Sequence, residues 1–159
     1  MFLTNHVLTG IVLGHTIEND FILAPVAFSS HFFMDALPHF GHHKDPDEKH
    51  DFEEDLAKGL HKIRDKGVIV TGVIDFTLAT SVLVASCLIW PERALNLVIG
   101  GFFAALPDLF YIPEGLFGWR LDGKLRWIHW KIQWYERPPG IFTEGLWAAI
   151  MLYLLRQKL

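Results

Sequence analysis

The sequence has little cysteine and little positive charge, and each shortage excludes a class of protein. A single cysteine, Cys87, rules out a disulfide framework and a cysteine-rich zinc site. Lys and Arg number 14 against 18 Asp and Glu, so the formal net charge of −4 provides no basic field for nucleic acid. The sequence also lacks a P-loop, a dinucleotide fingerprint and a serine-nucleophile motif, which argues against nucleotide and serine-hydrolase chemistry.

Apolar residues dominate the composition and occur in long runs. They make up 51% of the 159 residues, whereas charged residues make up 20%. The runs 68–90 and 138–157 reach the roughly 20 residues that a membrane-spanning helix needs. Tryptophans are mixed with basic residues in 110–137, which is typical of the membrane–water boundary. Residues 1–9 contain no Lys or Arg, unlike a signal peptide, so the first apolar run is expected to remain in the structure.

These features predict an all-α fold, an integral membrane bundle of about five helices in a single domain over residues 1–159. Short amphipathic helices are expected at the interface, in the loop 41–66 and in the tryptophan-rich segment 110–137. The last helix is predicted at 138–157. A compact soluble helical bundle is the alternative.

The two halves of the chain resemble each other at an offset of 69 residues. The sequence Ala-Leu-Pro-His at 36–39 aligns with Ala-Leu-Pro-Asp at 105–108, and the same offset places His6 on Asp75. We interpret this as a tandem repeat of two helices, the first at about 5–40 and the second at about 68–109. Both repeats then have the same orientation, so the two large loops lie on one side. They hold nearly all the Lys and Arg, which predicts that this side is cytoplasmic.

Ionisable residues fall inside or at the ends of these apolar helices. His31, Asp35 and His39 are spaced by four, so a helix would align them along one stripe until Pro38 ends it. The predicted topology brings them to one membrane depth with three other groups. Burying such groups without partners costs several kcal/mol, which favours a metal site. The six candidate ligands are His6, His31, Asp35, His39, Asp75 and Asp108.

The ligand types indicate which metal and which chemistry to expect. Imidazole and carboxylate groups suit Zn²⁺, with Mn²⁺ or Fe²⁺ as alternatives. The three histidines and three aspartates could hold one metal with supporting partners, or two metals bridged by an aspartate. His129, among the tryptophans, is a seventh candidate ligand, and an interfacial aromatic face is its alternative role. Glu144 stands nearly alone in the last apolar helix and is a candidate general base or partner of a ligand. Asp75, itself a candidate ligand, is the second candidate catalytic residue.

Most of these residues could instead have ordinary structural roles. His39 and Asp108 would serve equally as caps or solvated groups at helix ends, and His31 and Asp35 as a hydrogen-bonded pair between helices. Asp75 would form a salt bridge to a nearby Arg or Lys.

Three motifs in the chain contain most of the candidate ligands. They are Asn5-His6-x-Leu8-Thr9-Gly10, Ser30-His31-Phe32-x-x-Asp35-x-x-Pro38-His39 and Leu106-Pro107-Asp108. These motifs resemble those of the YdjM-like family of small bacterial inner-membrane proteins, which are described as predicted metal-dependent hydrolases. The family's usual Thr-His pair is Asn-His here, at residues 5–6, and the resemblance spans most of residues 5–145, including Ile128-His129 and Glu144-Gly145. It implies a metal site, a multi-pass location in the bacterial inner membrane and a hydrolase activity.

We therefore predict a membrane-embedded hydrolase in which a divalent metal activates water for attack on a phosphoester-type bond of a lipid-like substrate at the cytoplasmic interface. The alternative is a non-catalytic accessory subunit of a larger membrane complex, with a structural metal or a polar packing cluster. Ion or metal transport between the repeats is a third reading. The expected partners are membrane lipid, the substrate, and further copies or other subunits, but not nucleic acid.

Overall fold

The computed structural model describes residues 1–40, 66–110, 123–132 and 138–158. Within these ranges the chain forms six α-helices and no β-strand, which confirms the all-α prediction. Short 3₁₀ helices at Pro91–Arg93 and Pro138–Gly140 lead into the fourth and sixth helices. The helices are α1 (Leu3–Thr16), α2 (Asp20–Asp35), α3 (Lys66–Ile89), α4 (Ala94–Leu109), α5 (Gly123–Ile132) and α6 (Ile141–Arg156).

Helix α1 is central, and it contacts α2, α3, α4 and α6. Its closest neighbour is α4, because glycines meet where the two helices cross. A Cβ atom on Gly10 would overlap the backbone carbonyl of Gly100, and one on Gly14 would lie 2.6 Å from the carbonyl oxygen of Asn96. The spacing of Gly10 and Gly14 indicates such a close approach, and the structure confirms it.

The order of these contacts gives the direction of the crossing. Gly10 faces Gly100, whereas Gly14, further along α1, faces the earlier residue Asn96. The two helices are therefore antiparallel. The N-terminal end of α1, which carries His6, consequently lies beside the C-terminal end of α4, which carries Asp108.

The apolar core follows α1. It is built from buried side chains of α1, α3, α4 and α6, and Trp147 of α6 is anchored to α1 by a hydrogen bond from its Nε1 to the hydroxyl of Thr9, 2.9 Å long. The buried residues of this apolar core are Val7, Leu8, Ile11, Ala79, Leu97, Ala105, Met151 and Leu155.

Helix α3 differs from the others in length and exposure. Among the described residues, one segment is long and apolar enough to cross a membrane, namely Ile69–Ile89, and only 11% of its most apolar window is buried. The remaining helices have 10 to 16 residues. At 1.5 Å per residue they reach about 15–24 Å, less than the roughly 30 Å of a hydrocarbon core.

Large parts of the predicted interfacial regions lie outside the described residues. Of the loop 41–66 only Lys66 is described, as the first residue of α3, and of the segment 110–137 only Phe110 and α5 are described. In α5, Lys131 places its Nζ 4.7 Å from the centre of the Trp127 ring. Such a cation–π contact between Lys and Trp is in keeping with a membrane–water boundary.

Candidate metal centre

Four side chains from three helices converge at one end of the bundle. They are His31 and Asp35 of α2, Asp108 of α4 and His129 of α5, and we call them the four-donor cluster. One nitrogen or oxygen from each lies within 4.8 Å of those of the other three. Three of the side chains are at most 3% exposed, whereas Asp108 is 27% exposed. The cluster is therefore buried on most sides and open at Asp108.

Each of these groups lies near the C-terminal end of its own helix. His31 and Asp35 are one helical turn apart on the same face of α2, and Asp35 is the last residue of that helix, three residues before Pro38. Asp108 lies in the last turn of α4 and His129 in the last turn of α5. The C-terminus of a helix carries a partial negative charge. Two carboxylates at two such ends create a site that attracts a cation.

The separations between the donor atoms fit a tetrahedral metal site. Asp35 Oδ2 is 2.7 Å from His129 Nε2 and 3.1 Å from His31 Nε2, and the two Nε2 atoms are 3.1 Å apart. Asp108 Oδ1 is 3.6 Å from His31 Nε2 and 3.7 Å from His129 Nε2. Bonds of 2.0–2.1 Å to zinc place neighbouring ligands about 3.3–3.4 Å apart in a tetrahedron. The group can therefore hold a metal ion.

The backbone fixes the protonation of one imidazole. His31 Nδ1 lies 2.9 Å from the carbonyl oxygen of Ala104. A carbonyl only accepts hydrogen bonds, so Nδ1 carries the proton, and the lone pair of Nε2 in the neutral ring faces the cluster. Metal-binding histidines typically donate their second ring N–H in this way.

His6 lies against the four-donor cluster without being one of its members. Its ring is fully buried and stacks on that of His31, with centroids 3.9 Å apart and planes 21° apart. Its Nε2 is 3.2 Å from Asp35 Oδ1 and 3.8 Å from Asp108 Oδ2. In each aspartate, His6 therefore faces the carboxylate oxygen that does not face His31 and His129. Neither ring nitrogen of His6 makes a hydrogen bond.

The amino group of Met1 is a further cation at this position. It donates a hydrogen bond of 2.8 Å to Asp35 Oδ1, the oxygen nearest to His6. Burial alone would lower the pKa of this amino group, but the nearby carboxylates, with Asp35 the strongest, together outweigh that effect and raise the pKa. The outer face of Asp35 therefore already holds a positive charge.

The two acids predicted to be catalytic lie at the N-terminus of α1 instead. Asp75 accepts hydrogen bonds from the backbone N–H of Leu3 (2.7 Å) and Thr4 (3.0 Å). Glu144 accepts from the N–H of Phe2, 3.2 Å from each oxygen, and from the side-chain amide of Asn5. The first N–H groups of a helix have no partner within it, and a carboxylate satisfies them well. Neither acid belongs to the four-donor cluster, and their predicted catalytic roles stay predictions.

His39 also lies outside the four-donor cluster. Helix α2 ends before it, so the predicted stripe stops at Asp35. The His39 ring is buried, and its Nδ1 donates to the carbonyl oxygen of Leu37, 2.8 Å away. A Cβ atom on Gly140 would overlap the His39 backbone, which shows how tightly the turn before α6 packs there.

The structure thus brings together four of the seven predicted ligands and places His6 beside them. The positions paired by the 69-residue offset have different environments. His6 faces the aspartates, whereas Asp75 caps α1. No sequence pattern points to the carbonyl of Ala104 as a hydrogen-bond acceptor, because every residue has a carbonyl. The amide of Asn5, which donates to Glu144, was also not predicted.

Comparison of the chain with protein-family models, with curated proteins and with solved structures finds no match. The resemblance to the YdjM-like family therefore stays a prediction that depends on the motifs themselves. Within the described residues, the structure establishes a helical protein with one candidate membrane helix and a His/Asp group that can hold a metal ion.

Proposed function

We propose that this protein is a membrane-embedded hydrolase that depends on a divalent metal held by the four-donor cluster. The observation that carries the proposal is the convergence of two imidazoles and two carboxylates at the C-terminal ends of three helices. Two nitrogen and two oxygen donors suit Zn²⁺, and Mn²⁺ or Fe²⁺ are the alternatives. A cation held there would supply Lewis acidity, which activates water and polarises a phosphoryl or carbonyl oxygen.

The apolar surface supports the membrane location. Large hydrophobic side chains are strongly exposed on α2, α3, α4 and α6, among them Phe21 (92%), Leu88 (77%), Leu95 (66%) and Phe142 (81%). A soluble monomer rarely exposes so much apolar surface. The shorter helices would be accommodated by tilting or by local thinning of the bilayer. In this proposal the protein crosses a bacterial inner membrane several times, with the large loops and the cluster on the cytoplasmic side.

The chain's own residues orient the donors and limit access to them. The carbonyl of Ala104 holds the His31 ring, and Phe32 packs edge-on against both imidazoles, 5.4 Å from His31 and 6.0 Å from His129 between ring centres. Phe32 therefore screens that side of the site. The partly exposed Asp108 leaves one approach, from which a phosphoester group of a lipid-like substrate would reach the cluster.

A second candidate function is a non-catalytic subunit with a structural metal. The burial of three of the four donors favours it, because structural metal sites are closed, whereas catalytic sites keep an open position. The two functions differ in whether the metal can be reached from solvent.

The first test measures metal content and hydrolysis together. Detergent-purified protein is analysed for bound metal and assayed with a chromogenic phosphodiester, beside the variant His129→Ala. His15→Ala is the matched control, since His15 lies in α1 with its ring packed on Trp90. We expect metal and metal-dependent hydrolysis in wild type and control, and loss of both in His129→Ala. Protein without metal refutes the proposal. If the bound metal resists chelators and the protein shows no hydrolysis, the metal is structural and the second candidate function holds.

A further inference from the structure

The two aspartates of the four-donor cluster each present one oxygen to that cluster and one to His6. Asp35 directs Oδ2 towards His31 and His129, and its Oδ1 is 3.2 Å from His6 Nε2. Asp108 directs Oδ1 towards the same two imidazoles, and its Oδ2 is 3.8 Å from His6 Nε2. Both carboxylates therefore have the arrangement of bridging ligands, with one donor set on each side.

His6 supplies the observation that points to a ligand on the second side. Its side chain is fully buried, and neither ring nitrogen has a hydrogen-bond partner. An unpaired buried polar group costs about 1–3 kcal/mol, so a partner for it is expected. Its Nε2 faces two carboxylate oxygens, which accept but do not donate when ionised. A cation between the three atoms would satisfy all of them.

The stacking of the His6 and His31 rings indicates how far apart two metal ions would lie, one bound to each ring. The rings of His6 and His31 are 3.9 Å apart between centroids and nearly parallel. Their Nε2 atoms approach opposite oxygens of the same carboxylate. In two-metal sites the ions are about 3.5–4 Å apart. Parallel imidazoles at this distance suit two neighbouring ions, one on each ring.

We propose that His6 Nε2, Asp35 Oδ1 and Asp108 Oδ2 form a second divalent-cation position, so that the two aspartates bridge a pair of metal ions. The proposal rests on the proposed function, because it requires an ion in the four-donor cluster. The hydrogen bond from the Met1 amino group to Asp35 Oδ1 shows that this side accepts a cation. The same amino group competes with a metal ion for Asp35 Oδ1, because it also carries a positive charge.

The test is the number of metal ions per chain, measured by elemental analysis after loading with Mn²⁺ and removal of free ion. We expect two ions in wild type, one in His6→Ala and two in the control His15→Ala. One ion in both wild type and His6→Ala overturns the second position and leaves the proposed function intact, with the Met1 amino group as the balancing charge. No ion in wild type overturns both.

A second measurement decides the matter if His6→Ala does not fold. Two Mn²⁺ ions bridged by carboxylates give a spin-coupled signal in electron paramagnetic resonance, whereas a single ion gives the spectrum of an isolated centre. Wild-type protein loaded with excess Mn²⁺ and then freed of unbound ion should give the coupled signal. The spectrum of an isolated ion contradicts the bridged pair.

Discussion

Two pairs of carboxylates lie near the same end of the bundle and are stabilised in opposite ways. Asp75 and Glu144 accept backbone N–H groups at the N-terminus of α1, where the helix dipole favours negative charge. Asp35 and Asp108 lie at the C-terminal ends of α2 and α4, where the dipole opposes negative charge, and imidazoles surround them. The first pair is satisfied by the fold alone. The second pair is balanced by imidazoles and, at Asp35, by the Met1 amino group, and it is the pair that we propose to bind metal.

The largest effect is expected from Asp35→Asn. The substitution keeps the shape of the side chain but removes the carboxylate that touches His6, His31 and His129. Mutation of a residue that only hydrogen-bonds to a metal ligand costs roughly 10- to 100-fold in metal affinity. Loss of the ligand itself should therefore weaken metal binding by at least about 100-fold. The measurement is a titration of apo protein with Zn²⁺ in competition with a chelating dye.

Asp75→Asn is the matched control for that titration. It makes the same chemical change in the first pair of carboxylates, so it should leave the affinity of the four-donor cluster within a few-fold of wild type. Equal loss of affinity in the two variants would show that the two pairs do not differ in the way described.

The second prediction concerns the close crossing of α1 and α4 at Gly10 and Gly100, which places the start of α1 beside the end of α4. Gly10→Ala places a methyl group against the backbone of Gly100, so α1 and α4 must separate. Overpacking of this kind typically costs about 1–3 kcal/mol of unfolding free energy. It should also weaken metal binding, because the crossing places His6 beside Asp108. Thermal unfolding in detergent, followed by circular dichroism, measures the first effect, and the dye titration measures the second.

Gly72→Ala is the control for the crossing. No atom lies within 4 Å of a Cβ built at Gly72, which is inside α3. Alanine is the better helix former by roughly 0.5–1 kcal/mol, so this variant should be slightly more stable than wild type. Equal destabilisation by both substitutions would mean that the glycine contact is not what Gly10 provides.

The sequence predicted the helices and the close crossing because both depend on local patterns. Apolar runs, Pro38 and the Gly10–Gly14 spacing are properties of short segments, and they are reflected directly in the structure. The four donors were also among the predicted ligands. His31, Asp35 and Asp108 were predicted because ionisable residues in apolar helices are unusual, and His129 was predicted as a histidine among the tryptophans.

The sequence could not separate the two pairs of carboxylates, because all four acids lie in or beside apolar helices. Whether such an acid caps a neighbouring helix or joins a metal site depends on which helix end it meets in space. Asp75 meets the start of α1, a contact over 72 positions of sequence. His39 shares its stripe with His31 and Asp35, but α2 ends before it. Tertiary packing, which no local pattern encodes, decides each case.

The last prediction, the stability change in Asp75→Asn, separates the two pairs of carboxylates most directly. Asp75→Asn should lower the free energy of unfolding by about 1–2 kcal/mol. The amide nitrogen would replace one of the two carboxylate oxygens that accept the N–H groups of Leu3 and Thr4, so one of these N–H groups would lose its acceptor. This loss of stability should be the same with and without a chelator, since the cap involves no metal. The stability change in Asp35→Asn should instead depend on metal, because an ion that binds only the folded state stabilises wild type by mass action. Thermal unfolding of both variants in zinc and in chelator measures this difference, and a chelator-dependent loss in Asp75→Asn would place Asp75 with the metal ligands after all.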